Sequence, residues 1–82
     1  MDTGPRKDMA ILRLSMVAEL DAVNLYERFA DLTSSEKIRT VMIDVAKEEK
    51  VHAGEFESLL KEVDSEHEDA KNEGESEVSE LT

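Results

Sequence analysis

Four polar side chains stand where helical spacing would otherwise predict apolar residues. In the first half of the chain, an apolar stripe at steps of three and four residues passes through Glu19 and Tyr26. In the second half, a similar stripe passes through Glu49 and His52. Seven residues turn an α-helix by two turns less about 20°, and three residues turn it by nearly one, so each pair shares a face. The interior of a helix pair is therefore predicted to hold two carboxylates, an imidazole and a phenol.

Carboxylates in such an interior need a partner. Burying an unpaired carboxylate costs several kcal/mol, and two on facing stripes also repel each other. Taken singly, Glu19 fits the edge of a stripe, Tyr26 fits a core position with its hydroxyl at the rim, and His52 fits a hydrogen-bonded core position. Together, a Glu on one helix and Glu-x-x-His on the other form the ligand set of di-iron carboxylate bundles. This combination favours a metal site of Glu19, Glu49 and His52.

The number of ligands predicts a dimer. A di-iron site of this kind takes four carboxylates and two imidazoles, whereas one chain offers two carboxylates and one imidazole at that spacing. Two chains related by a two-fold axis would supply both sets and form a four-helix bundle with the metals on or beside the axis. The same pairing would bury apolar stripes that a lone helical hairpin leaves in water.

Two helices are predicted to position these residues. The first runs from about residue 6 or 8 to about residue 30, after Pro5, which suits a helix start. The second runs from about residue 34 to residue 63, and Thr33 followed three residues later by Glu36 predicts a capping box at its start. Because the connection is short, the helices are expected to be antiparallel neighbours, so the fold class is an all-α hairpin.

The apolar spacing predicts which residues form the helix–helix seam. On the first helix, three further residues are expected to widen the buried face, namely Leu20, Leu25 and Phe29. The predicted seam residues are Met9, Leu12, Met16, Val23 and Ala30 on the first helix and Ile38, Met42, Val45, Phe56, Leu59 and Val63 on the second.

Composition excludes several classes of protein. The chain has 82 residues, no cysteine, no tryptophan and a formal net charge of −11. A disulfide scaffold and a thiolate-bound metal centre are therefore impossible. The negative charge argues against binding to nucleic acid or to anionic membranes, and no run approaches the roughly 20 apolar residues of a membrane span. The first residues lack the apolar run of a secretory signal, so a cytoplasmic location is expected.

The acidic charge is concentrated at the end of the chain. Residues 1–63 hold 13 acidic and 9 basic residues, a net charge of −4, whereas residues 64–82 hold 8 acidic residues and one basic residue, a net charge of −7. The second segment also lacks an apolar period. We therefore predict a helical domain over residues 1–63 and an acidic, disordered tail or linker over residues 64–82.

Two segments resemble the encapsulated ferritins, which are short, two-helix members of the ferritin-like superfamily that lie inside encapsulin protein shells. These segments are AELDAVNLYERFA (18–30) and DVAKEEKVHAGEF (44–56). The resemblance implies a ferroxidase that oxidises Fe(II) to Fe(III) with O₂ at a di-iron site shared between two chains, for iron storage in an encapsulin nanocompartment. It also implies ferritin-like four-helix bundles made by homodimers, their assembly into an annular decamer, and an encapsulin shell protein as partner.

The resemblance extends to the candidate site. Glu19, Glu49 and His52 match the metal ligands of the family, and Tyr26 matches the tyrosine beside them. We expect Glu49 to bridge two metals, Glu19 to be a terminal ligand and His52 to supply the nitrogen. Tyr26 is expected to hydrogen-bond a ligand carboxylate or to donate an electron. Zinc, manganese or calcium can occupy such an oxygen-rich site in place of iron.

The sequence departs from the family in two places. The family often has an outer metal site on its first helix, where this chain has Ala18, Asp21 and Leu25, so only Asp21 remains as a candidate ligand. Bacterial members usually end in a shell-docking peptide rich in Leu, Gly and Ser, with basic residues, and the final GESEVSELT does not resemble it.

Two other functions fit the same residues. A di-iron peroxidase of rubrerythrin type would use the same ligands, although the lack of cysteine removes the usual attached electron-transfer centre. In a non-enzymatic helical assembly module, the four polar side chains would only fix the register between helices.

Overall fold

The chain forms three consecutive α-helices. A computed structural model describes residues 4–82, with α1 at Gly4–Leu32, α2 at Glu36–Val63 and α3 at His67–Leu81. α1 and α2 pack against each other along their length, whereas the contacts of α3 are with α2. The predicted all-α antiparallel hairpin is therefore confirmed. Over residues 4–82, no helix is both long enough and apolar enough to cross a membrane.

The hairpin is one layer thick. The molecule measures 47 × 37 × 18 Å, and its smallest dimension is less than two helix diameters of about 10–12 Å. Neither broad face of the α1–α2 pair is thus covered by a further layer. Within the described residues, the buried apolar side chains lie on one stripe of each helix at seven-residue spacing: Val23 and Ala30 on α1, and Ala46, Ala53 and Leu60 on α2.

The seam predicted for α2 is wrong in three of its residues. Ile38, Leu59 and Val63 are exposed, whereas alanines lie against α1. At 100° per residue, the three larger side chains fall on a stripe about 100° from the buried one. Alanine contributes little apolar surface, so a pattern of large apolar residues indicates the wrong stripe. The residues expected to widen the buried face of α1 are exposed as well: Leu20, Leu25 and Phe29.

The connection between α1 and α2 differs from the predicted capping box. Ser35 is the N-cap of α2, and its Oγ accepts a hydrogen bond from the Ile38 amide at 3.2 Å. Thr33 Oγ1 instead accepts one from the Ser35 amide at 3.1 Å, and Glu36 forms an ion pair within α2. The Thr33–Glu36 box is wrong because α1 continues to Leu32, two residues beyond its predicted end, which moves the cap along the chain.

Arg39 joins the end of α1 to the start of α2. Its Nε donates to the Ala30 carbonyl at 3.0 Å, and its Nη2 donates to the Thr33 carbonyl at 2.7 Å. Its guanidinium also contacts the carboxylate of Glu36. The last carbonyls of a helix have no partner within the helix, so this side chain supplies donors that α1 lacks. The sequence does not indicate this role of Arg39, because a hydrogen bond to a backbone carbonyl leaves no sequence motif.

Residues 64–82 are mostly helical rather than without regular structure. Glu68 and Asp69 stand in the first turn of α3, where negative charge favours the helix dipole, and Lys71 pairs with Glu68 at 4.0 Å. α3 buries none of its own residues. Helix formation here thus depends on local charges and not on a core, which composition alone does not reveal. The domain boundary after residue 63 stays a prediction.

Ion pairs attach α3 to α2. The Glu57 carboxylate of α2 lies 3.4 Å from His67 Nε2 and 3.8 Å from Lys71 Nζ. Lys61 Nζ lies 3.9 Å from a carboxylate oxygen of Glu68. The position of α3 is therefore determined largely by charges at its first two turns.

Replacing Leu60 with alanine tests where the core lies. Leu60 is 2% exposed, so its truncation leaves a cavity and should lower the free energy of unfolding by about 2–5 kcal/mol. Leu81→Ala removes the same atoms from a residue that is 86% exposed and should change it by no more than about 0.5 kcal/mol. Urea denaturation at one protein concentration gives both values. Equal losses would contradict the assignment of the core to the Leu60 stripe.

Candidate metal centre

Glu19 of α1 meets Glu49 and His52 of α2 halfway along the hairpin. His52 Nδ1 lies 3.4 Å from Glu19 Oε2 and 3.7 Å from Glu49 Oε1. One ligand atom from each of the three residues lies within 4.8 Å of the other two. The antiparallel packing produces this arrangement, because residues three apart on α2 are neighbours and both face one position on α1. Three of the four predicted site residues are thus in one cluster.

The cluster lies at the edge of the helix interface. The side chains of Glu19 and Glu49 are 21% and 19% exposed, and that of His52 is 43% exposed. Glu19 Oε2 is shielded from solvent and is the one buried side-chain oxygen or nitrogen in residues 4–82 without a hydrogen-bond partner. A carboxylate oxygen that has lost water without gaining a donor is destabilising. A cation held against this oxygen would remove that cost.

The two carboxylates influence each other's protonation. The pKa of Glu49 is raised above the usual value for glutamate, first because a proton on its carboxyl group is shared in a hydrogen bond with Glu19. Partial burial and the negative charges of Glu19 and Glu48 raise this pKa further, whereas His52 lowers it. A cation between the two carboxylates would offset the same repulsion that raises this pKa.

The distances fit a single metal ion. Ligand atoms about 2.0–2.2 Å from one ion lie about 3 to 4.4 Å from each other, and the distances from His52 Nδ1 to both carboxylates fall in this range. Carboxylates with an imidazole suit iron, manganese or zinc. Three protein ligands leave coordination positions open for further ligands. The donor set and the unpartnered oxygen of Glu19 therefore agree with metal binding.

Tyr26 is the fourth predicted site residue. It is half-buried on α1, two turns beyond Glu19, which corresponds to about 10 Å along the helix axis. Its ring packs edge-to-face against Phe29, with ring centres 6.3 Å apart. Its hydroxyl group makes no hydrogen bond to any residue that the structure describes. The role expected for Tyr26 beside the metal thus stays a prediction.

No second cluster of metal-binding side chains occurs in the described part of the chain. There, three or more His, Asp or Glu side chains converge only at the Glu19 cluster. Asp21, the candidate for an outer metal site, lies on an exposed surface of α1, together with Leu25, Glu27 and Arg28. Glu27 on this surface already has a cationic partner, since Lys50 Nζ lies 3.6 Å from its carboxylate.

Similar proteins exist for nearly the whole sequence. The sequence profile of the rubrerythrin family matches residues 10–81. A ferritin-like–encapsulin shell fusion protein of Pyrococcus furiosus is 50% identical over 74 residues, which cover 90% of this chain and 21% of that protein. The encapsulin nanocompartment cargo protein EncC of Myxococcus xanthus is 40% identical over 55 residues, which cover 67% of this chain and 42% of that protein. The chain thus spans about a fifth and about two fifths of these relatives.

A solved structure is similar over the full chain. The crystal structure of the encapsulated ferritin domain from Pyrococcus furiosus matches with a TM-score of 0.94 and 45% sequence identity. The match covers 100% of this chain and 84% of that one. The likeness therefore includes α3 as well as the hairpin.

Replacing Glu19 with glutamine tests the repulsion between the carboxylates. Because the folded-state pKa of Glu49 is raised, protonated Glu49 favours folding at low pH, and this contribution is lost as the pH rises through the folded-state pKa. Glu19→Gln removes the main cause of the shift. It should therefore stabilise the metal-free chain near pH 7 and reduce the loss of stability that begins as the pH rises above about 4.

Urea denaturation with a metal chelator, repeated across this pH range, measures the effect. Glu75→Gln is the matched control, since it makes the same change in net charge at an exposed position of α3. If both variants shift stability equally at every pH, the carboxylate pair has no special influence on folding.

Proposed function

This chain belongs to the rubrerythrin family, and from that premise we propose that it is a ferroxidase that oxidises Fe(II) to Fe(III) with O₂. The proposed site is a di-iron centre shared between two copies of the chain. One observation carries the proposal: the shielded, unpartnered oxygen of Glu19 faces Glu49 and His52. The three ligands make half of the set found in di-iron carboxylate bundles.

A second copy completes the ligand set. One hairpin supplies two carboxylates and one imidazole, and a two-fold axis through the cluster doubles both. The imidazole of His52 is 43% exposed at the edge of the interface, so an equivalent cluster can approach it from outside. Both ions would then lie between the two hairpins.

The hairpin face that carries His52 is suited to such pairing. At 100° of rotation per residue, a row of large apolar side chains of α1 and α2 falls on this face. The row extends from the cluster towards both ends of the hairpin. Groups of exposed large apolar side chains on one face mark interaction surfaces. A two-fold copy would cover this surface with itself and bring the two clusters together. The exposed residues of the row are Ile11 and Phe29 on α1 and Ile38, Val41, Leu59 and Val63 on α2.

Fe(II) is the substrate, and the chain's residues hold and orient it. Carboxylates offset the charge of two ions and can bridge them, so we assign the bridging role to Glu49 and a terminal role to Glu19. His52 Nδ1 is the ring nitrogen that faces both carboxylates and would be the neutral donor. Each Fe(II) gives up one electron to O₂. Tyr26, two turns from Glu19, would hydrogen-bond a ligand or donate an electron.

The relatives suggest where this activity takes place. Their names describe an encapsulin shell fusion protein and encapsulin cargo proteins. We extend this to the present chain, with an encapsulin shell as partner, homodimers assembled into an annular decamer, and oxidised iron stored within the cytoplasmic nanocompartment. Residues 64–82 would be an acidic tail or linker after the hairpin.

Alanine variants test the ligands directly. Glu49→Ala removes the proposed bridge and His52→Ala removes the nitrogen donor, so each should abolish rapid Fe(II) oxidation, and Glu19→Ala should nearly do so. Tyr26→Phe should change the rate but leave metal binding intact. Glu55→Ala, an exposed position on α2, is the matched control and should oxidise Fe(II) like the wild type. The measurement is Fe(III) formation after anaerobic Fe(II) loading and addition of O₂.

A wild-type chain that oxidises Fe(II) no faster than buffer would contradict the ferroxidase proposal. The rubrerythrin match also fits a di-iron peroxidase, and the same assay separates the two functions. Faster turnover with H₂O₂ than with O₂ would favour the peroxidase.

The oligomeric state tests the shared site. Leu59→Glu puts a charge on the apolar row beside His52 without touching the core, since Leu59 is exposed in the single hairpin. It should abolish metal-dependent dimers. Ile43→Glu places the same charge on the opposite side of α2, also at an exposed position, and should leave dimers intact. Mass measurements with and without Fe(II) under anaerobic conditions give the result. If Leu59→Glu still dimerises with Fe(II), the row is not the interface.

A further inference from the structure

We infer that Arg39 is a positioning residue for the metal centre, because its guanidinium fixes the axial register of α1 against α2. That register places Glu19 opposite Glu49 and His52. The inference deepens the proposed function and rests on it, since these three side chains are the proposed ligands. It adds a residue that has no contact with the metal.

The apolar core alone specifies the register weakly. Its buried positions repeat every seven residues, and Ala30, Ala46 and Ala53 are identical small side chains. Small alanine side chains interlock little across the interface, so packing alone gives weak resistance to a small axial shift of one helix along the other. Coiled coils with such repeats use a polar residue at one core position to specify register. A comparable device is expected in this hairpin.

Arg39 occupies the corresponding position. It precedes the buried Ala46 by seven residues and so lies on the same stripe of α2. Its hydrogen bonds reach the carbonyls of Ala30 at 3.0 Å and Thr33 at 2.7 Å. Seven residues back from Ala30 lies Val23, which is also buried. Arg39 with Ala30 therefore forms one layer of the interface, and Val23 with Ala46 forms the next.

The hydrogen bonds of Arg39 can form in only one register of the two helices. A guanidinium presents its donors in a rigid fork, and bonds to the carbonyls of Ala30 and Thr33 require α1 to end at one particular residue. An alkyl side chain at position 39 would pack against α1 equally well after a slide, whereas the fork would lose both acceptors. The two bonds thus distinguish one register from its neighbours.

Two rigid helices carry this register to the metal centre. Glu19 lies eleven residues before Ala30, about 16 Å along α1, and Glu49 lies ten residues after Arg39. Ligand distances in a metal site are fixed to within about 0.2 Å. A slide by one residue moves Glu19 by about 1.5 Å relative to α2, which is enough to disrupt the site.

Arg39→Met removes the donors and keeps the length of the stem. It should weaken Co(II) binding by roughly 10- to 100-fold, the usual effect of losing a residue that orients ligands. Arg39→Lys keeps the charge without the fork and should weaken binding by a smaller factor. Glu36→Gln is the matched control, since it removes the ion-pair partner of Arg39 and leaves both carbonyl bonds. Leu60→Ala controls for general loss of stability, and both controls should bind Co(II) within about threefold of the wild type, well below the expected loss.

A distance measurement reports the register without any metal. The chain contains no cysteine, so Asn24→Cys and Lys47→Cys, both at exposed positions, give one specific pair of spin labels. Labelled chains are diluted with unlabelled chains so that distances within one chain dominate. We expect one narrow distance when Arg39 is present and a shifted or second distance in Arg39→Met, or in Arg39→Lys if the Met variant does not fold.

The outcomes separate this inference from the proposed function. Tight Co(II) binding by Arg39→Met and Arg39→Lys, or an unchanged label distance in both, overturns the role of Arg39. Equal weakening by Leu60→Ala would reduce Arg39 to ordinary structural support and overturns it as well. If the wild-type chain binds no Co(II), the proposed function fails, whereas the label distances still decide whether Arg39 sets the register.

Discussion

The contact between the carboxylates of Glu19 and Glu49 is the constraint on which the rest of the hairpin depends. One oxygen of Glu19 has lost water without gaining a donor, and the pKa of Glu49 is raised because the two groups compete for a proton. A protein gains no stability from such a pair by itself. A proton or a cation between the carboxylates would stabilise the arrangement. Its position in the middle of two long helices, away from their ends, agrees with a functional role.

The apolar surface of the single hairpin also lacks a partner. A hairpin 18 Å thick buries few side chains, and small domains of this size usually need a metal or a partner for stability. The apolar row and the metal cluster lie on one face, so one two-fold contact would cover the first and complete the second. Burial of the apolar row and completion of the ligand set therefore favour the same dimer.

The clustering of Glu19, Glu49 and His52 was more predictable from sequence than the core that supports it. Glu49 and His52 are three residues apart on one helix, and Glu19 follows from antiparallel packing, so local periodicity was sufficient. Ala46 and Ala53 were missed because their apolar signal is weaker than that of larger neighbours such as Leu59. Arg39 was missed because its partners are backbone carbonyls, which any sequence offers. Charge composition likewise could not distinguish α3 from a disordered tail, because short-range ion pairs determine whether this segment forms a helix.

In the proposed dimer, metal and assembly control each other. Bringing two clusters together places four carboxylates at one axis. Their repulsion opposes dimer formation until cations bind, whereas burial of the apolar row favours the dimer with or without metal. A ligand that binds the dimer and not the monomer shifts the equilibrium by mass action, and the effect is reciprocal, so chains that are already paired bind iron more tightly. Pairing enforced by a larger assembly would hold the repelling carboxylates in place without metal. The site would then be ready for Fe(II) at concentrations that leave isolated chains unpaired.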